Sequence, residues 1–261
     1  MSSLRLSADL LTHFRISSYI PANKGGQKTV FFVVIDNITY ALKIMNFVDE
    51  RFDREVRICS KYSVNDGIPK IIRVEKYNGE TIILEEYIEG NDLSDLYKSY
   101  KDDEKKICEL LKKIGVIMKP IWEDSYVHRD LKPQNIRIRK NGNPVILDFG
   151  IARALNEDTI TPTGVQPLSY LFASPEQYAG DKRLISYRTD FFCIGIIAFY
   201  LYNNYLPFGR NSAEIEASFQ RGKLQVSLDS PLLDKFCNAV FKVNPSERPR
   251  FPETLFKLLE S

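Results

Sequence analysis

The sequence predicts an α+β fold in which a small, strand-rich lobe precedes a larger, mainly helical lobe. Two observations carry this prediction. The first third of the chain contains paired runs of β-branched and aromatic residues separated by turn residues, whereas after Gly90 the apolar residues recur at helical spacing. We expect one domain over 1–261, with lobes at about 1–87 and 91–261, a connection at 86–90 and a ligand cleft between the lobes.

Three pairs of strands are predicted from runs of β-forming residues that flank short turns. The runs are 29–36, 38–45, 71–77, 81–87, 136–139 and 145–147. Asp36-Asn37 separates the first pair and Asn78-Gly79 the second, and both residue pairs tolerate the positive φ that a tight hairpin requires. The third pair surrounds a turn at 141–143.

Helices are predicted where apolar residues recur every three or four positions. Phe52, Val56 and Cys59 predict a helix of about three turns between the first two hairpins. A longer helix presents one apolar face to the core and lysines to solvent. The residues of that apolar face are Ile107, Leu110, Leu111, Ile114, Ile117, Met118 and Ile121. The continuously apolar run 191–202 predicts a buried helix.

The composition argues against several classes of protein. A net charge of +2 over 261 residues does not favour nucleic acid as a partner. The four cysteines lie too far apart for a metal motif or a disulfide framework, so we expect a reducing compartment and a cytoplasmic location. The longest apolar run has about 12 residues, short of the roughly 20 that cross a bilayer, so no membrane segment is expected.

Residues with catalytic potential are concentrated in one stretch, His-Arg-Asp-Leu-Lys-Pro-Gln-Asn at 128–135. It places Asp130 and Asn135 five residues apart, and Asp148-Phe149-Gly150 follows thirteen residues after Asn135. This set resembles the signature of the eukaryotic-like, Hanks-type serine/threonine protein kinases. The stretches at 148–153 and 174–178 resemble bacterial members of that family more than animal ones.

The resemblance implies transfer of the γ-phosphate of ATP, a reaction that depends on positioning and charge neutralisation. Asp130 would accept or orient the proton of the substrate hydroxyl, and Lys132 would contact the transferred phosphate. Asn135 and Asp148 would hold Mg²⁺ through hard oxygen ligands. A lysine at position 132 is the pattern of kinases that act on serine and threonine, so the implied substrates are proteins with these acceptors.

The resemblance also implies a nucleotide site in the strand-rich lobe and the connection. Lys43 would bind the α- and β-phosphates, and Glu55, twelve residues later, would be its ion-pair partner. The side chains of Val30 and Ala41 would cover the base. Backbone groups of Glu86 and Ile88 would meet the edge of the base, and the Asp92 carboxylate would bind the ribose.

Three further residues match positions with structural roles in the family. Asp190 would anchor the backbone of the catalytic loop. Glu176, in Ser-Pro-Glu at 174–176, would pair with Arg248. His128 would pack beneath Phe149 and would not move protons.

The phosphate-covering loop departs from the family pattern. Its three glycine positions hold Asn23, Gly25 and Lys28, with a further glycine at Gly26. We expect Gly25 and Gly26 to provide the close approach of backbone to phosphate. Lys28 would either touch phosphate or project into water.

Two positions expected near the base are also unusual. Glu85 stands at the gatekeeper position, where an unpaired carboxylate would be costly, so we expect it to pair with Lys43 or another cation. Arg137 stands where an aliphatic residue usually forms the floor of the adenine site. We expect its stem to cover the base and its charged head to reach water.

The segment between Asp148 and Glu176 holds three candidate phosphorylation sites, Thr159, Thr161 and Thr163. Arg129 precedes Asp130, and an arginine at this position can form a bidentate pair with a phosphate on the segment. The alternative is a polar loop that carries no such modification.

Two other functions stay open at this stage. The first is a pseudokinase that acts as a scaffold or switch for a regulatory protein partner, which only the degenerate glycine loop supports. The second is a small-molecule kinase of the aminoglycoside type, against which Lys132 and the Ser-Pro-Glu segment argue.

Overall fold

The computed structural model describes residues 5–24, 28–45, 50–149, 153–154 and 169–260. The chain divides into two compact units, Met1–Glu89 and Gly90–Ser261. The first is built on a β-sheet and the second mainly on helices, so the predicted α+β class is confirmed.

The first unit is a five-stranded antiparallel sheet with two helices. In chain order its elements are α1 (Ala8–His13), β1 (Ile16–Lys24), β2 (Lys28–Ile35), β3 (Ile38–Met45), α2 (Glu50–Lys61), β4 (Ile71–Tyr77) and β5 (Glu80–Glu86). The spatial order of the strands is β1-β2-β3-β5-β4. Both predicted hairpins are present, and Asp36, Asn37, Asn78 and Gly79 all have the positive φ that their turns require.

The two faces of this sheet differ, because successive side chains of a strand point to opposite sides. One face carries an apolar core that includes Leu10 of α1 and Phe14, which follows that helix. Phe31, Val33 and Leu42 belong to this same core. The residues that alternate with them on β2 and β3 therefore lie on the opposite face.

The second unit contains the remaining elements, most of them helical. They are β6 (Gly90–Asp92), α3 (Leu93–Leu96), α4 (Glu104–Glu123), β7 (Tyr126–Val127), β8 (Ile136–Arg139), β9 (Pro144–Ile146), β10 (Arg153–Ala154), α5 (Pro175–Tyr178), α6 (Tyr187–Asn203), α7 (Ser212–Gln220), α8 (Pro231–Val240) and α9 (Pro252–Lys257). Short 3₁₀ turns occur at Tyr97–Tyr100, Pro133–Asn135, Ser169–Phe172, Lys182–Leu184 and Pro245–Glu247.

The buried helix predicted at 191–202 is α6, and it forms the centre of the second unit. Ser186 and Thr189 form a capping box at its start. It packs against α4 and α8. At Gly195 the approach to α8 is so close that a Cβ atom would lie 2.4 Å from Val240. Within the described part of the chain, no helix has the length and apolar character needed to cross a membrane.

A fully buried ion pair joins α5 to the segment before α9. Both terminal nitrogens of Arg248 donate to the carboxylate oxygens of Glu176 at 2.7 Å. Thr189 on α6 donates to the same carboxylate at 2.8 Å. The predicted pairing of Glu176 with Arg248 is confirmed, and it ties three segments of the second unit together.

We expect Arg248→Leu to lower the free energy of unfolding by about 3–5 kcal/mol, because the Glu176 carboxylate would stay buried without its cation. Arg183→Leu is the matched control. Arg183 also donates two hydrogen bonds to one carboxylate, from Nε and one terminal nitrogen to Asp181, but 89% of its side chain is exposed, so we expect little or no loss. Urea unfolding followed by tryptophan fluorescence measures both changes, and equal losses would contradict the assignment.

Candidate active site

The loop that carries the candidate catalytic residues is attached to α6 by Asp190. One carboxylate oxygen of this buried residue accepts hydrogen bonds from the backbone N–H of His128 and the indole N–H of Trp122, both at 2.8 Å. The other accepts from the backbone N–H of Arg129 at 2.9 Å. Burial raises the pKa of the Asp190 carboxyl, and the N–H donors act in the opposite direction by stabilising its charged form. The anchoring role predicted for Asp190 is confirmed.

His128 supplies a second attachment of the loop. Its ring lies 4.8 Å from that of Phe149, centroid to centroid. Its Nδ1 accepts from the backbone N–H of Asp130, so the proton lies on Nε2, which is 3.1 Å from the Leu147 carbonyl oxygen. The predicted packing of His128 on Phe149 is confirmed, and both ring nitrogens are engaged in positioning.

The loop brings Asp130, Lys132 and Asn135 into direct contact. The Lys132 ammonium lies 2.7 Å from the Asp130 carboxylate. The Asn135 amide nitrogen donates to the Asp130 carbonyl at 2.8 Å and to the same carboxylate oxygen at 2.9 Å. Because the amide nitrogen faces Asp130, the amide oxygen of Asn135 is directed away from that residue.

Strand pairing places Asp148 near Asn135. Ile136 of β8 is opposite Ile146 of β9, and the Leu147 N–H donates to the Asn135 carbonyl at 2.8 Å. Asp148 is the next residue, half-buried and with a positive φ of 64°. One carboxylate and one amide oxygen at the same end of a strand pair form a donor set of the kind that hard divalent cations prefer, so these residues fit such an ion.

In the first unit, Lys43 lies between two carboxylates. Its ammonium is 3.0 Å from Glu55 and 2.7 Å from Glu85, and all three residues are buried. The predicted pairing of Lys43 with Glu55 and that of Glu85 with Lys43 are both confirmed. Burial raises the pKa of the Glu85 carboxyl, while the Lys43 ammonium acts in the opposite direction.

Lys28 has a contact that neither expectation for it included. Its ammonium lies 3.6 Å from the Glu55 carboxylate, and only 20% of its side chain is exposed. The expectation that it touches phosphate or projects into water was therefore incomplete. The reason is positional, because Lys28 lies two residues from Val30, and Val30 is directly opposite Lys43 in the β2–β3 ladder.

The other nucleotide residues predicted in the first unit lie on or just after its central strands. Val30 is opposite Lys43, and Ala41 is opposite Glu85. Glu86 ends β5, and its backbone N–H donates to the Lys70 carbonyl at 2.8 Å. A base contact at Glu86 would therefore use its carbonyl group. Ile88 is buried shortly after the strand.

The expectation that the charged head of Arg137 simply reaches water is corrected, because protein acceptors bind both of its terminal nitrogens, whereas the expectation that its stem covers the base stays a prediction. One terminal nitrogen donates to Asp92 and the other to the Gly90 carbonyl, both at 2.8 Å. The reason is that Asp92 and Arg137 are direct partners in the β6–β8 ladder. The β6–β8 pairing also explains why position 90 is a glycine, a residue that was not among those predicted for the site. A Cβ atom there would lie 2.0 Å from the Ile138 carbonyl oxygen.

Some of the predicted residues lie outside the described part of the chain. They are Gly25, Gly26, Thr159, Thr161 and Thr163. The roles predicted for them in phosphate binding and as phosphorylation sites stay predictions.

Comparison with known proteins gives a family match and curated relatives. A family model described as the protein kinase domain matches residues 24–257. The chain is 32% identical over 168 residues to the probable serine/threonine-protein kinase PknB of Lactococcus lactis, which covers 62% of the chain. It is 31% identical over 199 residues to the serine/threonine-protein kinase PrkC of Bacillus subtilis, which covers 72%. The matched regions span 26% and 30% of the lengths of these two relatives.

We expect Asp190→Asn to lower the free energy of unfolding by about 2–4 kcal/mol, because the amide replaces an ionised acceptor that serves three donors. Hydrogen exchange at the amides of His128 and Arg129 should also become faster. Asp103→Asn is the control, since Asp103 caps α4 at the surface and asparagine caps helices equally well. Unchanged exchange at the two amides would contradict the anchoring role.

Proposed function

The chain belongs to the protein kinase family, and on that basis we propose that it is an ATP-dependent serine/threonine kinase. It transfers the γ-phosphate of ATP to serine or threonine hydroxyls of protein substrates. The observation that carries the proposal is the contact among Asp130, Lys132 and Asn135 on a loop anchored by Asp190. The curated relatives whose names describe serine/threonine kinases support the same class of acceptor.

Asp130 is the residue that orients the acceptor. Its carboxylate accepts a hydrogen bond from the substrate hydroxyl and aligns the oxygen for attack on the γ-phosphate. Lys132, at 2.7 Å, holds this carboxylate and supplies positive charge to the transferred phosphate. The backbone of the loop is preorganised through Asp190 and His128, so little reorganisation is needed when substrate binds.

Lys43 binds the α- and β-phosphates of ATP, and Glu55 holds its ammonium in place. When bound, Mg²⁺ supplies charge neutralisation on the β- and γ-phosphates, with Asn135 and Asp148 as its protein ligands. Val30 and Ala41 cover the base, Glu86 and Ile88 offer backbone groups to its edge, and Asp92 binds the ribose.

The pseudokinase alternative depends on the degenerate glycine loop alone. No observation of the described residues favours it, whereas Lys43, Glu55, Asp130, Asn135 and Asp148 retain the residue types that transfer requires. The proposed kinase function also includes regulation, either by phosphate on Thr159, Thr161 or Thr163 or by a protein partner.

We propose the cytoplasm as the location of this kinase. All four cysteines are free and buried, as a reducing compartment allows. Burial raises the pKa of every one of these thiols, which makes them poor nucleophiles and weak targets for oxidation.

Transfer of labelled phosphate from ATP to a mixture of serine, threonine and tyrosine peptides tests the function. We expect label on serine and threonine only. Asp130→Asn should lower kcat by at least about 100-fold with little change in the Kd for ATP, because the residue orients the acceptor and not the nucleotide. Asp66→Asn, at an exposed carboxylate, is the control and should keep the wild-type rate.

The outcomes separate the alternatives. Label on tyrosine would overturn the acceptor class. Binding of ATP without transfer under all conditions would favour the pseudokinase, and a full rate in Asp130→Asn would overturn the role of that residue.

A further inference from the structure

Two of the departures from the family pattern meet in one cluster of the first unit. Lys28 replaces a glycine of the phosphate-covering loop, and Glu85 occupies the gatekeeper position. In the structure, Lys28 contacts Glu55 and Glu85 contacts Lys43. The two unusual residues are therefore linked through the Lys43–Glu55 pair.

The four side chains form a row of alternating charge. Lys28 is 3.6 Å from Glu55, Glu55 is 3.0 Å from Lys43, and Lys43 is 2.7 Å from Glu85. Lys43, Glu55 and Glu85 are buried, and Lys28 closes the row at its more exposed end. The attraction between such charges is stronger here than at the surface, because little water screens them.

Strand register explains why the row forms. Ala41 of β3 is directly opposite Glu85 of β5, and Lys43 lies two residues from Ala41 on the same face. Val30 of β2 is opposite Lys43, and Lys28 lies two residues from Val30 on that face. Glu55 comes from α2. Three strands and a helix thus each contribute one charge.

The four charges of the row sum to zero. Lys43 and Glu55 form a neutral pair by themselves, and Lys28 and Glu85 add one charge of each sign. Within the row, adding Glu85 alone would give one excess negative charge beside Lys43, the residue proposed to bind phosphate, and an uncompensated buried charge is costly. Lys28 removes that excess. Lys28 therefore compensates for the charge that Glu85 adds.

We propose that Glu85 and Lys28 are compensating positioning residues that together set the affinity of Lys43 for the nucleotide phosphates. Glu85 competes with phosphate oxygens for the Lys43 ammonium and weakens nucleotide binding. Lys28 offsets this effect by neutralising Glu55. The inference rests on the proposed function, since it assigns Lys43 to the phosphates.

The test compares Glu85→Gln, Lys28→Gln and the double variant in the full chain, titrated with Mg-ADP by calorimetry at pH 8, where ionisation of Glu85 is favoured. Removing the negative charge should tighten ADP binding about three- to tenfold, and removing the positive charge should weaken it to a similar extent. The double variant should bind about as tightly as the wild type. Glu80→Gln and Lys76→Gln, which change the same charges at exposed positions of the sheet, should leave the Kd unchanged.

A second measurement does not need nucleotide. In thermal unfolding without ADP, Lys28→Gln should lower the stability more when Glu85 is present than when Glu85 is already replaced by Gln. The reason is that only the single variant has an excess negative charge in the row. If Lys28→Gln alone fails to fold, folding of the double variant supports the compensation, and its failure to fold overturns it.

The two proposals fail in different ways. If Glu85→Gln weakens ADP binding or leaves it unchanged, the inference is overturned, but the proposed kinase function is not affected. Equal destabilisation by Lys28→Gln in both backgrounds also overturns the compensation. A wild type that binds no ADP overturns the proposed function and the effect of Glu85 on nucleotide, while the unfolding data still decide on the compensation.

Discussion

The hydrogen bonds from the loop backbone to the buried carboxylate of Asp190 are the interaction on which the candidate active site depends. They hold His128 and Arg129 against α6 and stabilise the positive φ of Arg129, a conformation that costs free energy in an isolated chain. Asp130 is the next residue in the chain, so the hydrogen bonds to Asp190 also fix its position. The site is therefore only as well ordered as the helix that carries Asp190, and α6 is the buried centre of its unit.

Two groups of paired charges among the described residues differ in how completely they are enclosed. Glu176 and Arg248 are fully enclosed and hydrogen-bonded on several sides, so their contact stabilises the second unit and exposes nothing to a ligand. The row of charges through Lys43 ends at a more exposed lysine. The row is therefore less completely shielded from water than the Glu176–Arg248 pair.

Much of the fold could be predicted because its signals are local. The turns at Asp36-Asn37 and Asn78-Gly79 depend on two residues each, and the apolar face of α4 repeats within one helix. The catalytic loop could be recognised for the same reason, since its residues are neighbours in the chain. By contrast, α1, β1 and β6 were not predicted, because their short, mixed sequences form structure only when packed or paired with distant segments.

The sequence by itself determined the fold class, the family and which residue types stand at the candidate catalytic positions. Only the tertiary structure decided the partners of the unusual residues. Arg137 bonds to Asp92 because β6 pairs with β8, and Lys28 joins Glu55 because β2, β3 and α2 bring them together. Residue identity limits what a side chain can do, but the register of strands far apart in the chain selects which charge it meets.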